Sequence, residues 1–262
     1  MDLIDIGVNL THDSFDEDRE AVIARADACG VHRMIVTGSS EQSSLDAAVL
    51  AASRPGCLYA TAGIHPHHAA EYSPRVNDAL LRLLREDSVV AVGECGLDYF
   101  RDFSPRQAQR EAFRAQLELA EATGLPVFLH QRDAHADFVE ILRPVIDRIS
   151  GGVAHCFTGD AVALREYLDM GLYIGITGWI CDERRGIELR RLAPDIPLDR
   201  VVIETDAPYL LPRTLKAKPA ARRNEPMHLC EVLRVFSEAS DLPEERVANA
   251  TTRNAEQLFG LR

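Results

Sequence analysis

Short apolar runs rich in β-branched residues recur along the chain, and between them lie longer stretches in which apolar residues return every three or four positions. The short runs have strand length, and the longer stretches have the spacing of helices that bury one face. Eight such units can be counted, with strands expected at about 2–8, 33–38, 58–64, 88–93, 125–129, 152–156, 171–176 and 200–205. The helix over 105–123 carries Phe113, Leu117 and Ala120 on one face, and Gly124-Leu125-Pro126 stops it before the next strand. Another, over 134–149, carries Phe138, Ile141, Leu142 and Val145 behind Asp133 as candidate cap; two more, near 227–239 and 243–258, close the chain. Strict alternation of strand and helix predicts a parallel sheet. Eight units predict an α/β fold, a (β/α)8 TIM barrel, and 262 residues is a usual size for one such domain over 1–262.

In such a barrel the C-terminal strand ends open on one face, so a polar residue that ends an apolar run is placed where chemistry occurs. His65 ends YATAGI, Glu94 ends VVAVG, His130 ends PVFL, His155 ends GGVA and Asp206 ends VVIET. Convergence of these side chains would suit a divalent metal ion and the water it activates, and a metal-dependent hydrolase is expected. A lone strand-end Glu can instead be half of a buried ion pair or a strand-end cap, and a lone His there is usually structural. Two histidines at equivalent strand ends beside a Glu weigh against that reading. The glycines flanking the Glu94 segment would let backbone approach a ligand closely.

Glu204 and Asp206 have strand spacing and are expected to divide their labour. Asp206 would bind metal and accept a proton, while Glu204 orients the ligand shell, fixes a basic residue or pairs with an Arg that closes the barrel. His65 opens GIHPHH and suits a phosphate or transition-state contact better than tight metal ligation. His67 is within reach of the site, and His68 is expected on a solvent-facing loop. His12, His32, His135 and His228 lack comparable placement and are expected to be structural or superficial.

A net charge of −12 argues against a generic nucleic-acid binder, yet the distribution is uneven. Arg213, Lys216, Lys218, Arg222 and Arg223 fall in the acid-free stretch RTLKAKPAARR, and Arg184, Arg185, Arg190 and Arg191 cluster upstream. Composition alone makes these a solvated loop and helix face. Their position after the late strands makes them candidates for substrate binding. Arg132, Arg185, Arg222 and Arg223 are the expected phosphate contacts. Tyr99, Phe100, Phe157, Trp179 and Tyr209 are candidates for base stacking, although Phe157 is equally suited to packing. Six cysteines without CxxC spacing point to reduced thiols, and no apolar run is long enough for a membrane span, so a cytoplasmic protein with no membrane partner is expected.

Taken together, DIGVNL, GIHPH, GECGLD, HQRDA, HCFTG, CDERRG, ETDAPYLLPR and RRNEP resemble the TatD family of metal-dependent deoxyribonucleases along essentially the whole chain. DIGVNL with CDERRG is similar to the branch that degrades single-stranded DNA from the 3′ end. The resemblance implies a TIM barrel of the amidohydrolase type, with metal held by Glu94, His130 and His155 and Asp206 as ligand or general base. It implies His65 in the substrate site and single-stranded DNA, with possible RNA, as substrate; His67, Arg132, Glu204, Arg185, Arg222, Arg223 and Asn224 are further candidate substrate contacts, and a monomer is expected. It names Mg²⁺ as the ion, while paired imidazoles also suit Zn²⁺ or Mn²⁺. Most of the family carries Asp-x-His-x-His in the first strand, whereas this chain has Asp5-Ile6-Gly7-Val8-Asn9. Gly7 offers no ligand and Asn9 only a weak oxygen, so one tightly held ion is expected in place of two, with Asp5 structural. The rivals are a hydrolase of amide or ester bonds, such as those of aminoacyl-tRNA, and a metal-stabilised binding protein that has lost catalysis.

Overall fold

The computed structural model describes residues 1–217, 219 and 222–261; Lys218 of the basic stretch lies outside the described residues. Eight strands pair in parallel and in sequence order: β1 (Leu3–Val8), β2 (Val31–Val36), β3 (Leu58–Ala62), β4 (Val89–Asp98), β5 (Val127–Arg132), β6 (Gly152–Ala154), β7 (Tyr173–Ile176) and β8 (Val201–Ile203). Closure of the ring is carried by Asp206 N–H donating to Gly7 O and Asn9 N–H to Ala207 O, both at 2.8 Å. Parallel pairing requires a crossover after each strand. The crossovers contain α1 (Arg19–Ala28), α2 (Glu41–Ala52), α3 (Pro74–Leu83), α4 (Arg106–Thr123), α5 (His135–Leu142), α6 (Ala161–Asp169) and α7 (Ile187–Leu192). Two further helices, α8 (Leu229–Ser240) and α9 (Glu244–Phe259), complete the (β/α)8 barrel. No described helix is long and apolar enough to cross a membrane.

Side-chain alternation divides the core in two. Ile4, Ile6, Ile35, Phe128, Val153 and Val202 fill the barrel interior, and Ala255, Leu258 and Phe259 of α9 join that cluster. Leu3, Met34, Val127, Leu129 and Val201 face the surrounding helices. α9 is tied down where Asn254 Nδ2 donates to the carbonyls of Leu198 and Val201, at 2.9 and 2.7 Å.

The expected strands all form, and the differences lie at their ends. β4 continues to Asp98 and β5 to Arg132, paired in register from Cys95–Leu129 to Asp98–Arg132. β6 and β8 are short because side chains take over as acceptors: Cys156 N–H donates to Glu204 (2.7 Å) and Thr205 N–H to Asp5 (2.9 Å). α4 buries Phe113, Leu117 and Ala120 and ends at Gly124 in the left-handed region, φ 71°. The helix expected over 134–149 stops at Leu142 and resumes only as a 3-10 turn, Ile146–Arg148. Pro144 lacks an N–H and disfavours helical backbone at Arg143, so the interruption follows from sequence. Asp133 is not the cap; Gln131 Oε1 accepts the Ala134 N–H at 2.8 Å.

Asp5 is fully buried and links β1 to the end of β8 by accepting from the Thr205 N–H and hydroxyl. Burial pushes its carboxyl up to about 7, although these hydrogen bonds favour the ionised form. The folded chain therefore retains a proton that the unfolded chain releases near pH 4, and this group's contribution to stability falls between about pH 4 and pH 7. Asp5→Asn removes that titration. The stability of the variant relative to the parent is expected to rise with pH across this window and level off above it. Urea unfolding over the same range measures it, and a constant difference would show that Asp5 does not titrate there.

Candidate active site

Phe128, Val153 and Val202 point into the barrel interior, and two residues further along each run stand His130, His155 and Glu204. Glu94 arrives from β4. Its Oε1 lies 2.9 Å from His130 Nδ1 and 3.5 Å from Nε2 of both His65 and His155, so three imidazoles surround one carboxylate oxygen. Potential donor atoms of His65, Glu94 and His130 lie within 4.8 Å of one another, as do those of His155, Cys156 and Asp206. All line one cavity of about 510 Å³ at the C-terminal mouth of the barrel.

The electrostatics separate their roles. Burial alone would raise the Glu94 carboxyl, but His65, His155 and His130 outweigh it and hold it well below the usual carboxylate range. Burial pushes His65 down to about 3, against the pull of Glu94. His155 is raised to about 10 because Glu204 and Glu94 overcome the burial that would lower it; a divalent ion beside Glu94 would oppose that protonation. Burial also pushes Asp206 up to about 7, against the pull of His155 and with help from Glu94 and Glu204. A carboxyl poised near neutrality is suited to accept and return a proton.

The donor set fits a divalent ion. His130 Nε2 is buried without a hydrogen-bond partner, lying 3.4 Å from Asp98 Oδ2 without good alignment. Leaving such a nitrogen unpaired is costly, and a cation among these donors would relieve it.

Glu204, expected in the substrate site, is instead fully buried behind it. Its Oε2 lies 2.6 Å from His155 Nδ1 and its Oε1 accepts the Cys156 N–H, which fixes the imidazole with its other nitrogen toward Glu94. Two glycines make this possible. A Cβ at Gly7 would stand 2.4 Å from Glu204 Oε2, and one at Gly175 would stand 2.5 Å from Oε1. The bare position in the first strand is thus the space that Glu204 occupies. The glycines of the Glu94 segment serve strand packing: a Cβ at Gly93 or Gly96 would strike the carbonyl oxygen of Phe128 or His130. Asn9 lines the cavity and spends its Nδ2 on Asp206 Oδ1 (3.1 Å) and Ala207 O.

Two cations of the basic loop, Arg213 and Arg223, are paired with acids. Arg223 pairs with Asp18 and Glu225 and lies over the Phe15 ring at 4.8 Å, and Arg213 pairs with Glu183. Asn224 is buried and donates to Thr205 O at 3.0 Å, so it anchors the loop without facing the cavity. Arg222 is exposed and outside the cavity lining. Arg132 and Arg185 do line it, with Trp179 and Tyr209. Phe157 is buried in the core and Tyr99 is bonded to Asp137. His12, His32, His135 and His228 bond to local partners.

Asp98 and Arg101 are among the lining residues that the sequence alone does not single out. Asp98 is buried, accepts from the Phe100 and Arg101 backbone N–H groups and lies 2.9 Å from His67 Nε2. Its position four residues beyond Glu94 on the same strand was the available signal. Arg101 follows it at the cavity wall.

A family model described as TatD related DNase matches residues 4–260. The chain belongs to that family. A TatD-family relative in Klebsiella pneumoniae (strain 342), named 3′-5′ ssDNA/RNA exonuclease TatD, is 50% identical over 259 residues, covering 99% of this chain and 98% of the relative. A protein of the same name in Citrobacter koseri is 49% identical over 99% of both chains. Among solved structures, a TatD homologue from Escherichia coli superposes with a TM-score of 0.90 at 30% identity, covering 99% of this chain and 98% of the other. A TatD-family hydrolase from Entamoeba histolytica gives 0.89 at 27% identity, covering 100% and 99%.

Proposed function

We propose that this TatD-family chain is a metal-dependent 3′–5′ exonuclease that hydrolyses phosphodiester bonds of single-stranded DNA, and of RNA, as one catalytic domain over residues 1–262. The observation that carries the reading is the Glu94 oxygen ringed by three imidazoles, beside Asp206, in a cavity walled by Arg101, Arg132 and Arg185. The names of relatives about half identical in sequence give the substrate and the polarity.

Glu94, His130 and His155 would hold one divalent ion, with Asp206 as a further candidate ligand or base and His65 for the substrate. Mg²⁺ is the proposed working ion, for which nucleotide phosphate could supply the oxygens it prefers; the imidazoles would also admit Mn²⁺ or Zn²⁺. When bound, the ion supplies an acidified water and polarises the phosphate. Asp206 takes the proton of the attacking water, and the bond from phosphorus to the 3′-oxygen breaks. Asp206 returns the proton to that oxygen, which becomes the hydroxyl of the new 3′ end, and a 5′-nucleotide is released. Arg132 and Arg185 hold the phosphate, and Glu204 keeps His155 in line. The molecule is proposed to act as a monomer in the cytoplasm, a reducing compartment that suits its six free thiols.

End-blocked oligonucleotides test polarity. A single strand capped at its 3′ end should resist, while one capped at its 5′ end is shortened nucleotide by nucleotide. Equal cleavage of both, or cleavage of closed circular strands, would make the protein an endonuclease.

A further inference from the structure

Among the described residues, three large aromatic side chains are exposed: Phe100 (55%), Phe103 (68%) and Tyr209 (52%). All three stand at the mouth of the one cavity that holds Glu94. Tyr209 lines it directly; Phe100 lies 3.9 Å from the guanidinium of the lining residue Arg132, and Phe103 packs 4.7 Å from the ring of the lining residue His67. Trp179, also lining, carries the Arg185 guanidinium 4.4 Å over its ring. Exposed aromatic surface is unfavourable at roughly 25 cal/mol per Å², so its confinement to one mouth calls for an occupant.

The topology sets these rings on two walls. In a ring of eight strands paired in order, β4 and β8 lie across from each other. Phe100 and Phe103 follow β4, Tyr209 follows β8, and Trp179 follows the adjacent β7. Each wall joins aromatic faces to an arginine, a combination that suits a base together with its phosphate. Glu94 and its imidazoles lie between the walls.

We propose that the two walls stack the bases of the two nucleotides flanking the scissile phosphate, one base on Phe100 and Phe103 and the other on Tyr209 and Trp179. This rests on the nuclease reading and adds a reason for single-strand preference. A base must be unstacked and unpaired to lie on a wall, so a duplex end has to fray before it can be cut. Every base has a π face, so the walls accept purines and pyrimidines alike.

The test couples the walls to the strand. Oligonucleotides with an abasic residue at the 3′-terminal or the penultimate position are compared with the unmodified strand, using the parent, the double variant Phe100→Ala with Phe103→Ala, and Tyr209→Ala. These side chains are exposed, so their removal leaves the core untouched. Each abasic substitution should raise KM roughly tenfold in the parent. The Phe100 and Phe103 double variant should lose as much on the unmodified strand, with no further loss on the abasic strand whose missing base belonged to that wall; Tyr209→Ala, which leaves Trp179 in place, should lose less on the unmodified strand and correspondingly shrink the effect of the abasic position that its wall serves. Phe100→Tyr should behave as the parent. Losses that multiply for every pairing of variant and abasic position, or wall variants with parental KM, overturn the proposal. If the parent releases nothing from the unmodified strand, the nuclease reading falls and the walls with it. If the parent degrades it but the coupling is absent, the walls alone fall.

Discussion

Glu94→Gln is expected to reduce turnover by about 10³-fold or more and to strip most of the bound metal from the purified protein. The substitution preserves shape and one oxygen but removes the negative charge on which His65, His130 and His155 converge at 2.9–3.5 Å. Loss of a single preorganised polar contact in an active site commonly costs about 10²–10³ in rate. Here the lost group is also the charge that favours the protonated forms of His155 and His130. A neutral amide would leave them facing each other without compensation and weaken the attraction for a cation. Turnover on a single-stranded oligonucleotide and elemental analysis after dialysis measure the two effects. Unchanged turnover and metal content would remove Glu94 from the centre of the site.

Gly7→Ala is expected to be disproportionately harmful for the addition of one methyl group. The new Cβ would stand 2.4 Å from Glu204 Oε2 and 3.0 Å from the Phe128 ring. Neither neighbour has room to yield: Phe128 packs the barrel interior, and Glu204 is wedged against Gly175 while bonded to His155 and the Cys156 N–H. Overpacking of a dense core typically costs about 1–3 kcal/mol. For a chain of this size that corresponds to a Tm lower by roughly 3–10 °C. Displacing Glu204 also frees the His155 ring, and loss of such a supporting partner weakens metal affinity about 10–100-fold. Glu204→Ala should relieve part of the thermal penalty of Gly7→Ala, because the clash needs both partners. Parental Tm and parental metal affinity in Gly7→Ala would show that Glu204 can settle elsewhere.

The barrel and most of its polar centre were legible because both are local properties of the sequence. Each strand announces itself as an apolar run, and His65, Glu94, His130 and His155 each end one. Inward and outward alternation then carries them to the same mouth. Asp98 was hidden because the expected strand stopped at residue 93, whereas β4 continues to Asp98 in register with β5. Glu204 and Gly7 could not be matched from sequence, since their contact exists only once the eighth strand meets the first. The same holds for Arg223 and Asn224. An acid-free stretch reads as open positive ground, but Asp18 meets Arg223 from 205 positions away and Asn224 turns inward to Thr205. Local composition reports which charges a segment carries and says little about which charges surround it in space.

The closing hydrogen bonds between Asp206 and Gly7 and between Asn9 and Ala207 join the first strand to the segment after the eighth. On the ribosome, strands one to seven can be complete while the eighth is still inside the exit tunnel, and at that stage the first strand has a free edge. Asp206 has not yet joined Glu94 and the histidines, and Gly7 still borders an empty slot that Glu204 will fill. Such a nascent chain has the imidazoles proposed to hold the metal but lacks the carboxyl proposed to take the proton. Hydrolytic competence therefore arrives late in synthesis, and an interrupted translation product ending before residue 201 would carry an incomplete centre.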